Sequence, residues 1–209
     1  MASELDTLVY DSKINHDKKL VHIFTPKCGS SSVTQWLHYL DPTSTWTSFP
    51  QIATSIPPGY TSFATIRAPI PWVLSGYKMF KTRWNLPYDF ETHCKMILNP
   101  MPLIRHEYKN HIQDPEKGVP WGSYWWHCGI TPDTHLLPST KTFKIEDTKS
   151  LQKWMCKYYP NALDVPFVHT NGSKPLSVKI TQTAHELIKK KMHFYAARFN
   201  YEGLAYWKN

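Results

Sequence analysis

The sequence predicts an α/β protein whose central parallel sheet is flanked by helices. Two observations predict it: strand-forming runs alternate along the chain with stretches whose apolar residues recur at helical spacing, and two of those runs break into polar turns directly before a helical pattern. At 209 residues the chain can bury a sizeable core and stays below the length at which chains split. Residues 1–209 therefore read as one domain.

The first strand is read at Val21, Ile23 and Phe24, a run that suits burial on both faces. A helix follows, with Val33, Trp36, Leu37 and Leu40 on one face. Residues 40–59 are rich in Ser, Thr and Pro and read as loop, with a short extended piece around Ser44 to Phe49. Thr61 to Arg67 reads as the second strand. Pro69 and Pro71 then suit the first turn of a helix carrying Val73, Leu74, Tyr77, Phe80 and Trp84. Tyr88 to Leu98 reads as another helix. Residues 99–139 are punctuated by proline and hold Trp121, Tyr124, Trp125 and Trp126, an irregular insertion suited to a lid over a binding site. Lys141 to Ile145 is the third strand, and Leu151, Trp154, Met155, Tyr158 and Tyr159 stripe the helix after it. Phe167 to His169 reads as a short strand. The last long helix is expected from about Ser177, with Ala184, Leu187, Ile188, Met192, Tyr195 and Phe199 inward and Lys189 to Lys191 on a solvated face.

Between the first strand and its helix stands Thr25-Pro26-Lys27-Cys28-Gly29-Ser30-Ser31-Ser32. Free N–H groups at a helix start attract phosphate-like anions. Gly29 is expected to let the backbone approach a ligand, Ser30, Ser31 and Ser32 to add hydroxyl donors, and Lys27 to add a mobile charge. An ATP or GTP loop places its lysine after its glycines, whereas here Lys27 precedes Gly29. An ordinary kinase loop is disfavoured. The bland alternative is a polar turn in which Ser30 or Ser31 only caps the helix. Arg67 stands at the end of the second strand and Ser75 lies further along the next helix. Ligands of parallel sheets gather at the carboxyl ends of strands, so Lys27 and Arg67 are expected to open onto one crevice.

The formal charge of +8 favours anionic partners. Cys28, Cys94, Cys128 and Cys156 are widely spaced, so reduced thiols are expected and no zinc-type spacing appears. Glu4, Asp6, Asp11, Lys13, Asp17, Lys18 and Lys19 interrupt the first twenty residues, and no apolar run would span a bilayer. A soluble, cytoplasmic-type setting is the expectation, with neither membrane nor nucleic acid as partner.

Together, T-P-K-C-G-S-S-S and Arg67-x-Pro69-(x5)-Ser75-x-Tyr77 resemble the two cofactor signatures of sulfotransferases that use 3′-phosphoadenosine-5′-phosphosulfate, closer to the carbohydrate-type branch. Weaker echoes are Phe143 to Asp147, Asn171 to Lys174, and Tyr195 to Phe199. The chain departs from that family at Ala68, where an acidic residue is usual, at Trp72, where a basic one is common, and at Arg198, where an aspartate is usual. The resemblance implies a P-loop-like sheet and a sulfuryl donor bound without metal. Lys27, Cys28, Gly29, Ser30, Ser31 and Ser32 would lie at the 5′-phosphosulfate, and Arg67, Ser75 and Lys174 at the 3′-phosphate. It implies transfer to an acceptor hydroxyl on a small molecule or glycan. Lys27 would act on the leaving oxygen and His127 as general base, with His93, His106, His135 and Glu91 as other candidates. An atypical nucleotide kinase, or a non-catalytic basic module for sulfated glycan or nucleic acid, are the competing readings.

Overall fold

A computed structural model of the protein describes residues 12–49, 55–84, 88–98, 136–169, 176–203 and 207. In chain order the elements are β1 (Ser12–Asn15), β2 (Leu20–His22), α1 (Ser30–Leu40), β3 (Trp46–Phe49), β4 (Thr61–Ile66), α2 (Pro69–Trp84), α3 (Phe90–Leu98), β5 (Lys141–Lys144), α4 (Thr148–Met155) and α5 (Gln182–Arg198). The described residues gather into two compact units, one built from those up to Arg67 with 136–169, the other from 68–98 with those from 176 onward.

The first unit is α/β, with a five-stranded mixed sheet in the order β3-β1-β2-β4-β5. Its strands β2, β4 and β5 are mutually parallel, as the alternating pattern predicts, but β1 runs antiparallel to both β2 and β3. The expectation of a wholly parallel sheet is corrected at β1. A connection as short as His16 to Lys19 can join only antiparallel neighbours. The turn is held by the Asn15 side chain, which accepts from Lys18 N at 2.8 Å, and by Lys19 in the left-handed region at φ 51°.

Leu20, Phe63 and Phe143, from the three parallel strands, pack with Val33, Trp36, Leu37 and Leu40 of α1 and Leu151, Trp154 and Met155 of α4. Helical spacing in those two stretches thus becomes a shared core. The chain after α4 closes over it, as Trp36 Nε1 donates to Val165 O at 3.1 Å and Gln152 Nε2 donates to the same oxygen at 3.1 Å. Residues 167–169, expected as a strand, pair with no strand here. Val168 is half exposed and brings no apolar face to bury.

The second unit packs α2, α3 and α5 together. Tyr77 of α2 meets Phe90 and His93 of α3 at ring distances of 5.4 and 5.3 Å, and its hydroxyl donates to Tyr88 O. Thr181 caps α5 by accepting from Ala184 N and donates its own hydroxyl to Glu91 Oε2 at 2.6 Å. That cap explains why α5 starts at Gln182 rather than near Ser177. Ala184, Ile188, Met192 and Tyr195 are buried, while Lys189, Lys190 and Lys191 are exposed.

Candidate functional site

The carboxyl ends of β2, β4 and β5 lie side by side in the first unit. After β2 the chain passes through α1 to β3 at one edge of the sheet, and after β4 it reaches β5 at the other. Such a reversal is where open α/β sheets leave a crevice for ligands. The loop beyond β2 and the residue ending β4 flank it.

The loop is built from inside. Ile23 N continues the ladder by donating to Phe63 O at 2.8 Å, and Phe24 N donates to the Ser12 hydroxyl at 2.9 Å. Thr25 is then latched on three sides: its N–H donates to Ser30 Oγ at 2.9 Å, its carbonyl accepts from that same hydroxyl at 2.9 Å, and its own hydroxyl donates to Thr65 O at 2.5 Å. Lys27 and Gly29 both adopt left-handed backbone, at φ 60° and 82°. Gly29 is the N-cap of α1, offers no side-chain acceptor to the first turn, and takes Val33 N as the first helical bond. The first turn of α1 carries no acidic residue of its own to offset the positive helix end.

Arg67 reaches across from the end of β4 and donates from Nη1 to Lys27 O at 3.2 Å. The peptide between Lys27 and Cys28 is held at both ends, because Cys28 N donates to Thr25 O at 3.3 Å. Directly after β5 comes Ile145, whose N–H donates to Ile66 O and whose side chain fills the space a Gly29 Cβ would need, 2.6 Å from its Cδ1.

Several sequence expectations change here. Gly29 is required by its φ and by Ile145, whatever approaches the loop from outside. The Ser30 hydroxyl is buried and engaged with Thr25, so it is a loop latch. Cys28 is fully buried, and burial pushes its thiol far above the ordinary range, Arg67 pulling it down and Glu146 adding to the rise. An enclosed thiol of this kind is a poor nucleophile. Ser32 is buried, whereas Lys27, Ser31 and Arg67 are partly exposed.

Lys27 and Arg67 are therefore brought together. Ser75 lies in α2 of the second unit, partly exposed. His127 and Lys174 lie outside the described residues, as do His106, His135 and the 99–139 insertion up to residue 135. Among the alternative bases, His93 is wholly buried in α3, and Glu91 is held below the usual carboxylate range by its hydrogen bonds to Lys95 and Thr181. A carboxylate so held is a weak base. The residues that the sequence left without a role are Thr25, Thr65 and Ile145; only Thr25 had a local signal, its place at the head of the polar turn.

Among the described residues no group of three or more His, Cys, Asp or Glu side chains is placed to hold a metal ion, and no helix is long and apolar enough to cross a membrane. Comparison with known proteins finds no family model, no curated protein and no solved structure that matches the chain.

Proposed function

We propose that the protein is a P-loop-like sulfotransferase that moves a sulfuryl group from 3′-phosphoadenosine-5′-phosphosulfate to an acceptor hydroxyl, with carbohydrates the leading acceptor class. The observation that carries this reading is the meeting of Lys27 and Arg67 across the ends of two adjacent parallel strands, beside a helix start with a glycine cap. Two cations and a positive helix end suit a ligand with several anionic groups. The order of residues in the loop distinguishes it from one that cradles ATP or GTP.

In the reaction the acceptor oxygen attacks sulfur, the bond from sulfur to the bridging phosphate oxygen breaks, and the acceptor proton passes to a base. Little covalent work falls to the protein, so positioning and electrostatics dominate, as in phosphoryl transfer. Lys27 would supply positive charge where it builds on the departing oxygen, an interaction stronger in the transition state than in the ground state. Ser31 and the first-turn N–H groups of α1 would hold the 5′ side. By the resemblance, Ser75, Lys174 and Arg67 would serve the 3′-phosphate, and His127 would take the proton.

The test pairs binding with turnover. Calorimetry should show 3′-phosphoadenosine-5′-phosphate binding without magnesium and no comparable binding of magnesium-ATP. Labelled donor should transfer to a member of a glycan and phenol panel, and Lys27→Ala should lower kcat by about a hundredfold or more. Donor turnover indifferent to Lys27, or preference for magnesium-ATP, would overturn the proposal.

A further inference from the structure

We infer that Arg67 is a positioning residue for the Lys27 ammonium, acting through the Lys27 backbone, an inference that rests on the proposed transfer reaction. The resemblance gives Arg67 only a 3′-phosphate to hold. Its guanidinium is nevertheless engaged on the opposite side of the crevice, donating to Lys27 O at 3.2 Å.

That carbonyl is a sensitive place to hold. Lys27 carries a Cβ in the left-handed region at φ 60°, where side chains other than glycine are disfavoured, and such residues persist only when their surroundings over-determine them. The surroundings are identifiable. On one side Cys28 N is bonded to Thr25 O, and the Cys28 side chain is buried; on the other, Arg67 takes the carbonyl of the same peptide. If the guanidinium is removed, one restraint on the peptide is lost and Lys27 can relax toward negative φ. The Cα–Cβ bond then points elsewhere and the ammonium leaves its station. Neither the Thr25–Ser30 latch nor the Gly29–Ile145 contact acts on this carbonyl, so they do not replace the clamp.

Two roles for Arg67 predict different kinetics. A residue that only holds the 3′-phosphate binds ground state and transition state alike, so its loss raises the donor KM and spares kcat. A residue that aims Lys27 matters most when charge develops on the leaving oxygen. Its loss lowers kcat, and the loss depends on the ammonium being there to aim.

A double-mutant cycle on the full chain reads this directly. Arg67→Met should lower kcat by about a hundredfold, the scale expected for misplacing a group by an ångström, on top of any rise in donor KM from its 3′-phosphate contact. In a Lys27→Ala background the same change should cost less than about twofold in kcat. Arg67→Lys, which keeps a donor for the carbonyl, should recover part of kcat and carries the cycle if Arg67→Met fails to fold. Additive losses, or a change confined to KM, overturn the clamp while leaving the transfer reaction standing. Absence of any donor turnover by the unaltered protein overturns the transfer reaction and the clamp's role with it.

Discussion

Gly29 meets two independent demands, a φ of 82° and a Cα surface covered by the Ile145 side chain. Gly29→Ala should therefore cost about 2–4 kcal/mol, from left-handed strain and overpacking together. Denaturant titration measures it. Ile145→Ala in the same chain should recover the packing part and leave the strain, so simple additivity of the two substitutions would disprove the contact's role. This pair also shows where residue-level legibility ends. A glycine before a helix is visible locally, but its neighbour comes directly after β5, whose distance along the chain no local pattern encodes. The run of serines fails for a different reason. Successive helical residues point about 100° apart, so Ser30 turns inward to Thr25 while Ser31 stays partly exposed, and the sequence alone does not phase them. Lys27 and Arg67 were legible as neighbours because each follows a strand recognisable from its own residues, and β2 and β4 pair in parallel.

Elements with an apolar period were readable, and those held by polar contacts were not. The stripes of α1, α4 and α5 are buried largely where the helical period places them. The strand β1 has the sequence Ser12-Lys13-Ile14-Asn15, and three of its four buried side chains are polar. It belongs to the sheet because those groups find partners: Ser12 accepts from Phe24 N, Lys13 donates to Ser48, and Asn15 bonds Ser44 and Lys18 N. Hydrophobic pattern cannot announce a strand specified by hydrogen bonds. Capping was legible in the case of α4, where Asp147 stands before the stripe and accepts from Ser150 N at 3.3 Å. Asp147→Ala should cost about 0.5–2 kcal/mol of stability. Asp147→Asn, which keeps an acceptor, should cost less. Equal losses for the two substitutions, read from urea midpoints, would show that the cap's hydrogen bond is not what holds α4.

For the molecule as a whole, buried titratable groups set the pH range of stability. His22 is fully buried, its ring stacked 5.1 Å from Phe63, with its Nδ1 3.5 Å from Thr34 Oγ1 and, among the described residues, no hydrogen-bond partner for Nε2. Burial first, then the Lys13 charge, holds the imidazole down to about 3, against an ordinary value near 6.5. Between those values the unfolded chain binds the proton and the folded one does not, so stability falls as pH drops, by at most about 1.4 kcal/mol per pH unit. Asp89, Glu91 and Asp147, lowered by hydrogen bonds to Thr92, Lys95 and Ser150 respectively, act with the same sign but only from the carboxylate range downward. The alkaline side has the opposite origin. Burial pushes Cys94 up to about 12 and Cys28 higher still, against an ordinary value near 9. Above that ordinary value the folded state keeps protons the unfolded state releases, so stability falls as pH rises. Urea midpoints should thus form a plateau between about pH 6.5 and 9 with a decline on each side. His22→Phe should make the acid decline shallower and leave the alkaline decline unchanged, whatever its effect on absolute stability. If that variant loses stability as steeply as the parent over the same acid range, the His22 imidazole is not the group that limits the fold there.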